Sequence, residues 1–84
     1  MNFDQLVGEQ LKTMDKLVYL QTEIERCQEV KKQLGELQDE TEIGAIQEEI
    51  EQMKLELNRI QQVFEQQTEE VIRSYENQRF ETVS

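Results

Sequence analysis

Apolar residues recur along the second half of this chain at alternating steps of three and four. The series runs Ile43, Ile46, Ile50, Met53, Leu57, Ile60, Phe64, Gln67, Val71 and Ser74, and eight of its ten members are apolar. A ladder of this kind lays one stripe along one side of an α-helix, the seam expected of a coiled coil. The residues between its rungs are mostly Glu, Gln, Lys, Arg and Asn, as a solvated helix surface requires. The first half carries a looser version through Leu17, Leu20, Ile24, Cys27, Val30, Leu34 and Leu37. There the step from Cys27 to Val30 leaves the repeat one residue short, a local departure from the heptad. Upstream, Phe3, Leu6, Val7, Leu11, Met14, Leu17, Val18 and Leu20 form a broader apolar face. Glu23 with Arg26, Glu51 with Lys54, Glu56 with Arg59 and Glu69 with Arg73 are spaced as helical ion pairs, each adding about 0.2–0.5 kcal/mol.

The two ladders are separated by Gln38-Asp39-Glu40-Thr41-Glu42, which holds no apolar residue. Asp39 and Thr41 are both good N-cap residues, and Glu42 follows Asp39 by three in a capping-box-like spacing. Gly35 and Gly44 flank the stretch and weaken a continuous helix there. The pattern predicts one domain over 1–84, with a helix over about 3–37, a turn over about 38–42 and a second helix over about 43–80. In an antiparallel hairpin, facing seam residues have position numbers with a constant sum. Leu37 with Ile43, Leu34 with Ile46, Val30 with Ile50, Cys27 with Met53 and Leu20 with Ile60 all sum to 80. Ile24 with Leu57 and Leu17 with Phe64 sum to 81, so the fold-back is expected near position 40.

Apolar residues are unevenly spread along such a rod. The seam is narrow near the turn and widens toward the chain ends, with Val7, Val18 and Tyr19 on one helix and Val63, Ile72 and Tyr75 on the other. That open end has more apolar surface than one hairpin can hide. It predicts either dimerisation into a four-helix bundle or docking of another protein. The candidate contact residues are Leu11, Met14, Val18, Tyr19, Val63, Ile72 and Tyr75.

Composition narrows the choice. Proline is absent and only three glycines occur, so nothing interrupts helix over most of the length. The net charge of −10 argues against binding nucleic acid or an anionic membrane surface. It is also lopsided: residues 1–38 hold seven acids and five bases, residues 39–84 twelve acids and four bases. An acidic regulator that occupies a basic groove, mimicking nucleic acid, is therefore the rival to a scaffolding role. Histidine is absent and Cys27 is the sole cysteine, which excludes imidazole-based catalysis, zinc sites of the usual spacing and an intrachain disulfide. The isolated glycines build no phosphate loop. Adjacent carboxylates such as Glu48-Glu49 and Glu69-Glu70 point about 100° apart on a helix and read as solvated surface. No enzyme activity and no cofactor are expected. The segment MNFDQLVGEQ lacks the basic region and apolar run of a secretory signal, and no stretch approaches the roughly 20 apolar residues of a membrane span, so a cytoplasmic location is expected.

Four residues admit two readings each. Cys27 is a small buried hydrophobe or a redox-active thiol. Lys31, beside the break in the first ladder, is a surface residue lying along the seam or a polar group that sets register. Tyr19 and Tyr75 cap the open end of the core or anchor a partner.

The segments Leu11-Lys12-Thr13-Met14-Asp15-Lys16-Leu17 and Glu23-Ile24-Glu25-Arg26-Cys27-Gln28 resemble the YgaB-like family of small proteins from Bacillus-type bacteria, about the length of this chain. The resemblance implies a bacterial cytosolic setting and carries no functional residues across. The residues themselves predict an all-α protein, a two-helix antiparallel coiled-coil hairpin, acting without catalysis in protein–protein interaction or scaffolding.

Overall fold

A computed structural model of the chain describes the backbone of residues 2–83 and the side chains of residues 2–77. It contains two helices, α1 (Phe3–Glu36, 34 residues) and α2 (Glu40–Val83, 44 residues), packed against each other as an all-α hairpin. No strand occurs among the described residues. The rod measures 68 × 14 × 14 Å, the proportions of two helices side by side.

Local sequence closes both ends of α1 and the start of α2. Asn2 caps α1: its side chain accepts from the Gln5 amide at 2.8 Å, while the Gln5 side chain accepts from the Asn2 amide at 3.2 Å. This reciprocal box satisfies two amides that the first turn would leave unpaired. At the other end the helix closes through a residue in the left-handed region. Gln38 has φ 60°, its amide donates to the Gly35 carbonyl at 3.2 Å, and the Asp39 amide donates to the Leu34 carbonyl at 3.1 Å. These are the two bonds of a Schellman motif, here with glutamine where glycine is usual. Asp39 then starts the next helix, its carboxylate accepting from the Glu42 amide at 3.3 Å. The turn is therefore Leu37–Asp39, and α2 begins three residues before the expected Ile43, because Asp39 rather than Thr41 supplies the cap.

The seam also differs from its sequence reading. On α1 it runs through Phe3, Leu6, Gln10, Thr13, Leu17, Leu20, Ile24, Cys27, Lys31 and Leu34, all buried or half-buried and all in alternating steps of three and four. The apparent break disappears because Lys31, not Val30, is the rung; Val30 lies exposed beside it. Leu37 is no rung either: it is the C-cap and is 77% exposed. On α2 the expected ladder from Ile43 to Ser74 is buried or half-buried throughout.

Three cross-helix contacts fix the register. The Phe3 and Tyr75 rings lie 6.0 Å apart, Gln10 Nε2 donates to Thr68 Oγ1, and Lys31 Nζ donates to Gln47 Oε1. The position numbers in each pair sum to 78, which moves the fold-back from 40 to 39. The two ladders then meet rung to rung in pairs that sum to 77, setting Cys27 level with Ile50 and Ile24 with Met53. The expected pairs of Cys27 with Met53 and Leu37 with Ile43 are displaced by about one helical turn. The shift arises because Lys31 takes the rung beside the exposed Val30 and Leu37 lies outside the seam as the C-cap.

Of the four expected ion pairs, Glu23–Arg26 (3.7 Å) and Glu56–Arg59 (2.6 Å) form, and Glu9–Lys12 adds a third at 3.4 Å. Glu51 instead accepts from Gln47 Nε2 at 3.1 Å. All three pairs are largely solvated and contribute little to stability.

Candidate protein-binding surface

A heptad seam leaves each helix with a flank on either side of it. In an antiparallel pair, like flanks of the two helices lie together, so the rod has two long sides. One side carries the bonds from Gln10 to Thr68 and from Lys31 to Gln47. The other carries two shallow depressions, one lined by Thr13, Lys16, Glu56, Arg59, Ile60 and Val63, the other by Leu6, Glu70, Arg73, Ser74 and Asn77. The second side is dense with charge. The first is nearly free of it toward the chain ends.

On that first side, helical spacing brings together Asp4, Val7, Leu11, Met14, Val18 and Gln21 from α1. From α2 it brings Asn58, Gln61, Glu65, Thr68, Ile72 and Tyr75. Two of these twelve positions are charged, in a chain that is 33% charged. Leu11 (57%), Val18 (56%), Ile72 (53%) and Tyr75 (54%) are each more than half exposed, and Met14 is exposed beside them. Tyr75 packs on Phe3 at the end of the core and leaves half its surface open.

Four of the ten rungs beneath this surface, Gln10, Thr13, Gln67 and Ser74, are polar. Thr13 is buried and returns its hydroxyl to the Glu9 carbonyl at 3.1 Å; on the flank, half-buried Thr68 does the same with the Phe64 carbonyl at 2.9 Å. Gln67 Oε1 is buried with no hydrogen-bond partner. Polar residues thus take four of the ten inner positions of this half, while Leu11, Met14, Val18 and Ile72 lie outside. A hairpin closed on itself would place more of its apolar residues inside.

All seven candidate contact residues are exposed, but they do not form one patch. Leu11, Met14, Val18, Ile72 and Tyr75 share the weakly charged side. Tyr19 and Val63 lie on the charged side, where Val63 lines a depression with Lys16, Glu56 and Arg59. Val7, outside the seven, is half-buried and belongs to the first group. Its signal was present in the sequence, because Val7, Leu11, Met14 and Val18 step by four, three and four. Among the described residues no three His, Cys, Asp or Glu side chains converge as metal ligands, and no helix is long and apolar enough to cross a membrane.

Comparison with known proteins places this surface in a family context. The family described as YgaB-like protein matches residues 2–78. The uncharacterized protein YgaB of Bacillus subtilis (strain 168) is 47% identical over 73 residues, which cover 87% of this chain and 64% of the relative. The chain thus spans just under two thirds of the length of that relative. No solved structure matches the chain.

Proposed function

The chain belongs to the YgaB-like family, and on that premise we propose that it is a small, non-enzymatic, cytoplasmic protein that works through protein–protein recognition or scaffolding at the open end of its hairpin. The observation that supports this reading is the surplus of exposed apolar residues from both helices beside a seam with four polar rungs, on a stretch of one side, 4–21 and 58–75, where only Asp4 and Glu65 bring charge. Apolar side chains held outward on rigid helices are the usual anchors of helix-on-helix recognition. The helices lose little conformational entropy on binding, because the hairpin already fixes them.

The rival reading, an acidic mimic of nucleic acid, has weaker support. The charged side interleaves Lys12, Lys16, Arg59 and Arg73 with its carboxylates, whereas a basic groove would be matched by a continuous run of acids. The test is site-specific photocrosslinking in the native cell, with the reactive group at Tyr75 and a control at the exposed Glu69 on the solvated back of α2. Capture of one defined protein at Tyr75, whether another chain or a second copy, with none at Glu69, is the expected result. Equal capture at both positions, or none at Tyr75, overturns the reading.

A further inference from the structure

We propose that the weakly charged side of the hairpin is closed by a second copy of this chain, packed antiparallel with its two-fold axis between Leu11 and Met14. This rests on the interaction reading above and names the partner it leaves open.

Charge selects the face. Each copy carries −10, so two copies can approach closely only where carboxylates are scarce. The side holding Leu11 is such a place, and the opposite side is not. A partner chosen by charge would need basic residues to meet acids, and this surface offers almost none. What it fits is another weakly charged, gently ridged helical surface, and its own is one.

The stripe is also self-complementary. Read from either end, Val7, Leu11, Met14 and Val18 follow the same steps of four, three and four. An antiparallel copy therefore sets Leu11 against the mate's Met14 and Val7 against its Val18, the reciprocal pairing of an isologous interface. The same axis sets Asp4, the one charge of this stripe, against the amide of the mate's Gln21. An overlap of about 22 residues of α1 is about 33 Å long, and two helices are about 20 Å wide. The pair then covers roughly 1,200 Å² in total, the lower end of specific interfaces. One unfavourable contact follows: Glu65 falls near the axis, close to its own mate.

Sedimentation velocity on the full chain, with circular dichroism on the same samples, tests this. The parent chain should be dimeric at about 100 μM, a concentration at which interfaces of this size are populated. Met14→Glu should weaken association at least about tenfold with helicity unchanged, because Met14 is exposed in the hairpin. Mixing Met14→Glu with Leu11→Lys should restore a dimer, since the two positions face each other across the axis, and Glu65→Gln should tighten it. A parent chain that stays monomeric, or a Met14→Glu chain that dimerises as well as the parent, overturns the proposal. So does a Glu65→Gln change that weakens association. A monomer in solution with capture of a different protein at Tyr75 in cells would overturn this inference alone and leave the interaction reading standing.

Discussion

Between Leu20 and Leu34 on α1, and between Ile43 and Leu57 on α2, every rung of the seam except Lys31 is apolar or cysteine. Ile24 and Ile50 are the two buried hydrophobic residues here, and Ile50 is only 2% exposed. Lys31 is kept from disrupting this half by handing its amine to Gln47, which passes a hydrogen bond on to Glu51. Between Phe3 and Leu17, and between Ile60 and Ser74, the rungs include Gln10, Thr13, Gln67 and Ser74, and the large exposed hydrophobic residues sit on the flank. The half near the turn is patterned to close on itself. The half near the chain ends gives four of its ten inner positions to polar groups and leaves Leu11, Met14, Val18 and Ile72 exposed on one flank, which makes it less self-sufficient. The best-buried side chains and the surplus of exposed apolar surface on one flank thus lie in different stretches of the same two helices.

Removing the best-buried side chain gives the strongest test of that division. Ile50→Ala should destabilise the hairpin by about 2–5 kcal/mol, since it deletes buried methylenes and leaves a gap that two helices can only partly collapse. For a chain of this size that is a large part of the total stability. A urea titration followed by circular dichroism reads it directly. A loss below about 1 kcal/mol would mean that the half near the turn does not hold the hairpin together.

The open half should respond in the opposite sense to an apolar replacement. Gln67 Oε1 is buried without a partner, so Gln67→Leu removes an unsatisfied group and fills the rung with hydrocarbon, a gain of about 1–2 kcal/mol. Gln10 would lose nothing, because its amide is already bonded to Thr68. Destabilisation in the same urea titration would mean that the polar seam of this half is a well-satisfied structural feature, and the contrast with the other half would fail.

How far these halves could be read from sequence depended on whether each rung was apolar. The α2 ladder was legible because eight of its ten members are apolar. The α1 ladder was misread at Lys31 and passed unnoticed at Gln10 and Thr13, because a polar rung is indistinguishable from surface until the facing helix is known. The cap at Asp39 was legible from its side chain, and the box of Asn2 with Gln5 carried the same type of signal. The left-handed Gln38 was not, since the residue that normally marks that position is glycine. The seven candidate contact residues were recognisable as surplus hydrophobics. Their division between two sides was hidden, because Val18 and Tyr19 are neighbours in sequence but point about 100° apart on a helix.

Gln38 supplies the next prediction, on the turn side of the comparison. A side chain held at φ 60° costs about 1–2 kcal/mol, and glycine there would remove that strain at an entropic cost of about 0.5–1 kcal/mol. Gln38→Gly should therefore stabilise by up to about 1 kcal/mol and raise the thermal midpoint by a few degrees. An unchanged or lower midpoint would show that the closing turn carries no strain to relieve.

The smallest expected effect is the most diagnostic. Leu11 is as large as Ile50, but the hairpin leaves it 57% exposed. Leu11→Ala should change the stability of the isolated hairpin by less than about 0.5 kcal/mol, since both residues are good helix formers and little packing is lost. The measurement belongs at low micromolar concentration, where any self-association is diluted out, and should be repeated at high concentration. A difference between parent and variant that grows with concentration would locate the energy of Leu11 in an interface rather than in the fold. A loss above about 1 kcal/mol at the lowest concentration would place Leu11 in the core of a single chain, and the two halves would then be held together by the same means.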